Sequence, residues 1–187
     1  IMGEDYAYKH PEGKSLFDLF LNGKQRPLAC CSSIKEVENY PWPELDYLDF
    51  NQMRRLLIDK REYVRFGGMW SSFFHIVADL FGMEQYFVNM YTNPKVVEAV
   101  TEQVVNFYLE ANRRCFEECK GEIDVFFFGN DFGTQLDLLI SPEMFKKFVF
   151  PHLRKLVDLA KTYNLPVMLH SCGAVSKIIP LLIDLGI

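Results

Sequence analysis

Residues 124–129, Asp-Val-Phe-Phe-Phe-Gly, and residues 166–170, Pro-Val-Met-Leu-His, are the two apolar runs that decide the fold. Each has the length and composition of a strand that is buried on both faces. Between them, Ser141-Pro142 is an N-cap followed by proline, which predicts a helix that runs to about Tyr163. Pro151 predicts a kink in that helix, because proline removes a backbone hydrogen bond and its ring clashes with the preceding turn.

The order of elements from residue 124 onward is strand, helix, strand and helix, with the last helix predicted over residues 176–185. This order predicts an α/β fold with parallel strands and right-handed crossovers. Two architectures fit, namely a doubly wound sheet and part of a (β/α)8 (TIM) barrel. A complete barrel needs about 250 residues, so these 187 residues would form only a portion. Ile1 is not an initiator and Gly186 reads as a helix stop, so we expect a barrel domain over 1–187 that is incomplete at both ends.

The earlier part of the chain is predicted to be mainly helical. Residues 1–45 show no sustained period beyond a short stripe at 16–20, and we expect a poorly structured or helical lead-in. A short strand is predicted at 63–66, where Gly67-Gly68 ends it. Apolar spacing and capping signals predict helices over residues 47–59, 72–82, 83–91 and 94–120.

The composition limits the classes of function. The chain is 49% apolar and 15% aromatic, which excludes a disordered protein. Its net charge of −5 gives no reason to expect nucleic acid or an anionic membrane as a partner. No apolar run approaches the ~20 residues that span a bilayer. Five cysteines at irregular spacing, without an apolar leader, favour a reducing compartment. We therefore expect a globular cytoplasmic protein.

His170 and Cys172 follow one of the predicted strands at a spacing of two residues. On an extended backbone this spacing directs both side chains to the same face. Imidazole and thiolate are zinc ligands, and a catalytic zinc takes three protein ligands and keeps one position open. The alternative is a buried cysteine beside a histidine that is bonded to a loop carbonyl.

Asn130-Asp131 follows the other predicted strand at the equivalent place. Polar residues at the carboxyl ends of parallel strands face the ligand site. The alternative for Asp131 is an N-cap or a local turn before Gly133.

Two further sets of residues have mainly structural interpretations. Cys115 and Cys119 lie four residues apart on a predicted helix and could meet a metal, but no histidine or third cysteine is near in sequence, which favours packing. His75 lies on an apolar helix and is interpreted as a packing residue. The sequence contains no dinucleotide-binding, P-loop or hydrolase nucleophile motif.

Several blocks of sequence, taken together, resemble a known superfamily. They are Tyr40-Pro41-Trp42-Pro43, Met69-Trp70 through Asn93-Pro94, Gly129-Asn130-Asp131-Phe132-Gly133-Thr134-Gln135, Leu139-Ile140-Ser141-Pro142-Glu143-Met144-Phe145, Pro151-His152 and Val167-Met168-Leu169-His170-Ser171-Cys172-Gly173. The chain resembles the uroporphyrinogen decarboxylase superfamily, which includes the methylcobamide:thiol methyltransferases of corrinoid metabolism. The run from Gly129 to Gly173 is the specific part of the resemblance.

The resemblance implies a (β/α)8 barrel with its site at the carboxyl ends of the strands. It further implies zinc held by a His-x-Cys strand end, which His170 and Cys172 match, and by a later cysteine that has no counterpart before Ile187. With only two protein ligands in this chain, we expect weak zinc affinity. Asp131 and Gln135 are expected to position the substrate, while a zinc-activated thiol accepts a methyl group from a methylated corrinoid, the co-substrate.

Three functions follow as hypotheses. The first is a zinc-dependent methyltransferase that acts with a small-molecule substrate or a corrinoid protein. The second is a decarboxylase of an acidic tetrapyrrole; superfamily decarboxylases use arginines near the N-terminus, and this sequence has no matching block. The third is a non-enzymatic barrel fragment that acts as an assembly partner. We expect an open barrel edge with unpaired strand groups, which a homo-oligomer could cover.

Overall fold

The computed structural model describes residues 7–187, so the part of the predicted lead-in that covers residues 1–6 lies outside the described residues. In chain order, the elements are α1 (Leu16–Phe20), α2 (Ile34–Glu38), α3 (Asn51–Ile58), β1 (Phe66–Gly67), α4 (Phe73–Phe81), α5 (Met83–Thr92), α6 (Pro94–Glu118), β2 (Val125–Gly129), α7 (Pro142–Phe148), α8 (Phe150–Thr162), β3 (Val167–His170) and α9 (Ile179–Leu185), with 3₁₀ turns at Leu45–Tyr47 and Ser176–Ile178.

The three strands form one parallel sheet in the order β1-β2-β3. In the register of β2 and β3, Phe126 lies opposite Val167 and Gly129 lies opposite His170. The predicted parallel pairing of the two strands is therefore confirmed. Their carboxyl ends lie at the same edge of the sheet, which brings the residues that follow them together.

The two faces of the sheet differ. Phe126 and Phe128 are fully buried, and the Phe126 ring meets Phe116 of α6 at a centroid distance of 5.2 Å. The prediction that β3 is buried on both faces is wrong, because Met168 is 50% exposed. The physical reason is that Met168 pairs with Phe127, on the face of the sheet opposite to the one that packs against α6.

The helical segment between β2 and β3 is divided where the sequence predicts one kinked helix. Helix α7 ends at Phe148, and α8 begins at Phe150 after Val149, whose backbone (φ −116°, ψ −51°) departs from helical geometry. Pro151 consequently occupies the first turn of α8, where no intrahelical partner is needed for a backbone N–H. Proline starts a new helix here and does not bend an existing one.

The N-terminal segment is more ordered than predicted. Ser15 caps α1, and Ser33 with Glu36 forms a capping box on α2. The helix predicted from residue 47 begins at Asn51 instead, because Leu45–Tyr47 forms a separate 3₁₀ turn that ends in an extended Leu48. Local caps and turns therefore set these boundaries.

The long helix α6 matches its prediction in position and in its buried stripe. It begins at Pro94, after Asn93, and packs against α4, α5 and α8. Val97, Val100, Val104 and Ala111 are fully buried on one side of it. Among residues 7–187, no helix is both long and apolar enough to cross a bilayer.

Candidate metal centre

Two loops meet at the carboxyl ends of β2 and β3. The backbone N–H of Asn130 donates to the carbonyl of His170 at 3.0 Å, which extends the β2–β3 ladder by one bond. Asp131 and Cys172, which closely follow Asn130 and His170 in the chain, are therefore brought near each other.

Asp131, His170 and Cys172 form a compact cluster of three different donor types. Cys172 Sγ lies 3.3 Å from His170 Nε2, and His170 Nε2 lies 3.5 Å from Asp131 Oδ1. One donor atom from each residue lies within 4.8 Å of the other two. The prediction that His170 and Cys172 lie on one side of the strand is confirmed, and Asp131 lies beside them, as its place at the end of the other strand predicts.

A backbone hydrogen bond fixes the carboxylate in this cluster. The Cys172 N–H donates to Asp131 Oδ1 at 2.7 Å, across 41 residues of chain. This bond holds the pKa of Asp131 below its usual range, and the carboxylate in turn raises the pKa of the Cys172 thiol. Asp131 therefore acts over a long range and is more than a local turn residue.

Two glycines let the loops approach closely. Gly173 has a φ of +89°, and a Cβ there would collide with the backbone of Gly133. Close to this contact, the Ala174 N–H donates to the Thr134 carbonyl at 2.7 Å, and the Phe132 N–H donates to Ser171 Oγ at 3.0 Å. The loops that carry Asp131 and Cys172 are thus fastened to each other by backbone contacts.

A cleft with a volume of about 230 Å³ opens beside the cluster. Its lining consists of Trp70, Ser72, His75, Gly129, Asn130, Asp131 and His170. The Trp70 ring lies 6.2 Å from the His170 ring, between centroids. It also covers Gly129 so closely that a Cβ at this position would collide with the indole. Trp70 therefore forms one wall of a space next to the donor atoms.

Two buried asparagines hold the segment that carries Trp70. Asn112 Oδ1 accepts from the Met69 N–H at 2.8 Å, and its amide donates to Ser71 Oγ at 2.9 Å. Asn130 Oδ1 accepts from the Phe74 N–H at 2.9 Å, and its amide donates to the Ser71 carbonyl at 3.1 Å. Ser71 has a φ of +50°, so the chain turns sharply between the cleft wall and α4.

The structure does not bring every predicted site residue together. Gln135 is exposed on a loop next to Leu136, which is 93% exposed, and it does not line the cleft. The role of Gln135 in positioning substrate stays a prediction. Conversely, Trp70 and His75 line the cleft, although sequence reasoning assigned them no part in a site. Position was an available signal for Trp70, which follows β1 much as Asp131 follows β2, whereas His75 lies within α4.

The structure is a portion of a parallel α/β barrel, and it carries a cluster of metal-donor atoms at the carboxyl ends of its strands. The sequence model of the uroporphyrinogen decarboxylase (URO-D) family matches residues 32–187, and the chain belongs to this family. The solved structure of a methyltransferase from Methanosarcina mazei superposes with a TM-score of 0.59 at 20% sequence identity. The match covers 80% of this chain and 44% of that chain, so this chain spans less than half of that methyltransferase. No curated protein matches the sequence.

Proposed function

We propose that this chain is part of a zinc-dependent methyltransferase, in which a small thiol accepts a methyl group from a methylated corrinoid. The observation that carries the proposal is the convergence of Asp131, His170 and Cys172 within 4.8 Å at the carboxyl ends of β2 and β3. The likeness in fold to a methyltransferase supports the same choice within the family.

The three residues fit zinc in donor chemistry and in spacing. Histidine nitrogen, cysteine sulfur and carboxylate oxygen are all zinc ligands, and ligands around a tetrahedral zinc are about 3.3–3.8 Å apart. The separations of 3.3 Å between Cys172 and His170 and 3.5 Å between His170 and Asp131 agree with this range. Bound zinc would lower the pKa of a substrate thiol and leave a soft thiolate nucleophile.

The residues of the chain would orient and shelter this thiol. Asp131 is held as an anion by the Cys172 N–H, so it adds negative charge that favours a cation between the two loops. Trp70 forms an apolar wall on one side of the cleft, with its ring 6.2 Å from the His170 ring between centroids. A cleft of about 230 Å³ suits a small thiol and is too small for a corrinoid ring. The corrinoid, free or on a carrier protein, would approach from the open side.

Decarboxylation of an acidic tetrapyrrole is the second candidate, because the matching family is described by that activity. In that case the His-x-Cys pair would have no role in the reaction. The two functions therefore differ in whether activity needs zinc, His170 and Cys172.

The test combines metal binding with methyl transfer. Zinc content and affinity are measured for the chain and for His170→Ala and Cys172→Ser, with Cys30→Ser as the control because Cys30 is an exposed cysteine outside the cluster. Transfer from methylcobalamin to a small thiol is then followed by the change in corrinoid absorbance. We expect both site variants to lose zinc and transfer, and the control to keep both. Equal zinc affinity in all four proteins would contradict the proposal, and chelator-resistant tetrapyrrole decarboxylation would favour the second candidate.

A further inference from the structure

A second cluster of metal-binding atoms lies away from the candidate metal centre. Cys115 lies in the last turn of α6, Cys119 caps this helix at its C-terminus, and Met53 lies on α3. Cys115 Sγ lies 3.5 Å from Met53 Sδ. Cys115 and Met53 are fully buried and Cys119 is 1% exposed, so all three side chains lie in the core.

The two cysteines are linked through the backbone. The Cys119 N–H donates to the Cys115 carbonyl at 2.9 Å, so Cys119 lies one turn after Cys115, at the end of α6.

We propose that Met53, Cys115 and Cys119 form a buried binding site for a soft monovalent metal ion, with Cu(I) as its biological representative. Thiolate and thioether sulfurs select such ions over harder ones. Among residues 7–187, the one group of three His, Cys, Asp or Glu donors is Asp131–His170–Cys172, so a harder ion finds no such set at the sulfur cluster.

The spacing suits this ion. Three sulfurs around a trigonal centre with bonds of about 2.3 Å are about 4 Å apart, close to the 3.5 Å between Cys115 and Met53. Binding replaces two S–H bonds with two metal–sulfur bonds, releases two protons to solvent and leaves the ion as Cu(I). The product carries one net negative charge.

A route to the cluster exists from the opposite end of the sheet. Cys119 lines a cavity of about 240 Å³ together with Gly121 and Ile123, which precede β2, and Asn164 and Leu165, which precede β3. This cavity is at the amino ends of the strands, whereas Asp131, His170 and Cys172 lie at the carboxyl ends. The two sites are therefore independent, and either can exist without the other.

The experiment uses a chain in which His170→Ala and Cys172→Ala remove the candidate metal centre. Cu(I) is titrated without oxygen against a chromophoric Cu(I) chelator. We expect one ion per chain, with affinity lowered about 100-fold or more by Cys115→Ala and about tenfold by Met53→Leu. Cys30→Ala is the matched control and should bind as the parent does. Equal affinity in the parent, Cys115→Ala and Met53→Leu, or a loss that follows Cys30→Ala, would overturn the proposal.

A second measurement does not depend on the folding of variants. X-ray absorption of the Cu(I)-loaded parent should show sulfur neighbours alone. Nitrogen or oxygen neighbours, or displacement of Cu(I) by equimolar Zn(II), would rule out a soft-ion site at these residues.

Met53→Leu conserves volume in the core, so its effect on Cu(I) affinity is separable from an effect on folding.

Discussion

Asp131 Oδ1 accepts a hydrogen bond of 2.7 Å from the backbone N–H of Cys172 and lies 3.5 Å from His170 Nε2. One oxygen atom thus fixes the loop after β3 and also faces a donor at the end of that strand. Asp131 therefore combines a structural role with a charge, and the two roles can be separated by substitution.

Asp131→Asn should separate them. The amide keeps an oxygen that accepts from the Cys172 N–H, so the free energy of unfolding should change by less than about 1 kcal/mol. Loss of the negative charge should lower zinc affinity about 10- to 100-fold. Competition with a zinc chelator and chemical denaturation measure the two quantities. Unchanged zinc affinity would mean that Asp131 serves only to position the loop.

Gly173→Ala should weaken the contact between the two loops. An added Cβ strains a backbone with a φ of +89° and collides with Gly133. Gly121→Ala is a matched control, since Gly121 has a φ of +78° and nothing within 4 Å of a built Cβ. Strain should lower the free energy of unfolding of the control by about 1 kcal/mol. In Gly173→Ala the free energy of unfolding should fall by at least about 1 kcal/mol more. Equal losses in urea denaturation would show that the close approach contributes nothing.

Asn112→Ala should release the wall of the cleft. The substitution leaves the buried Met69 N–H without its acceptor, and it removes the bond to Ser71 Oγ. We expect a loss of about 2–3 kcal/mol in the free energy of unfolding. Asn39→Ala is the control, because that amide is exposed.

The same variant offers an optical readout. The sequence contains two tryptophans, so in a Trp42→Phe background the fluorescence reports Trp70 alone. Asn112→Ala should shift the Trp70 emission to longer wavelength in the folded state. An unshifted spectrum would show that other contacts hold the indole in place.

His152 should make stability depend on pH. Burial lowers the pKa of its imidazole from 6.5 to about 4, with a smaller contribution from Lys155 opposed by Glu102. Because the unfolded chain takes up the proton first, stability is complete above about pH 6.5 and falls as the pH approaches 4. The loss should reach about 3 kcal/mol. His152→Gln cannot take up this proton, so the difference between its unfolding curve and that of the parent isolates the effect from other acids. If the free energy of unfolding changed with pH in the same way in the parent and in His152→Gln, His152 would not be the source of the effect.

The sequence predicts those features that depend on local period and capping. Strand β2, the pairing with β3 and helix α6 follow from apolar runs and from the Asn93-Pro94 opening. The meeting of His170 and Cys172 follows from the two-residue period of a strand. These features need no knowledge of distant contacts.

The features that the sequence does not predict depend on contacts between distant residues. The place of Asp131 after β2 predicts that it shares a pocket with His170 and Cys172, but not its hydrogen bond from the Cys172 N–H across 41 residues. The contact of Met53 with Cys115 across 62 residues is likewise not predicted. Neither distance leaves a periodic signal. The exposure of Met168 was missed for a related reason, because burial of a strand depends on which distant elements pack against each face of the sheet. His75 was assigned to packing because it lies on an apolar helix, but its side of that helix faces the cleft.

The close contact between Trp70 and Gly129 means that a substitution at one position constrains the residue at the other. The indole of Trp70 can lie over position 129 only because glycine has no side chain. Without the indole, the backbone of Gly129 at the end of β2 would be exposed. Relatives of this chain should therefore change the two positions together, with a smaller residue at the position of Trp70 wherever a side chain replaces Gly129. Such paired changes in related sequences would mark which of them keep the same cleft width.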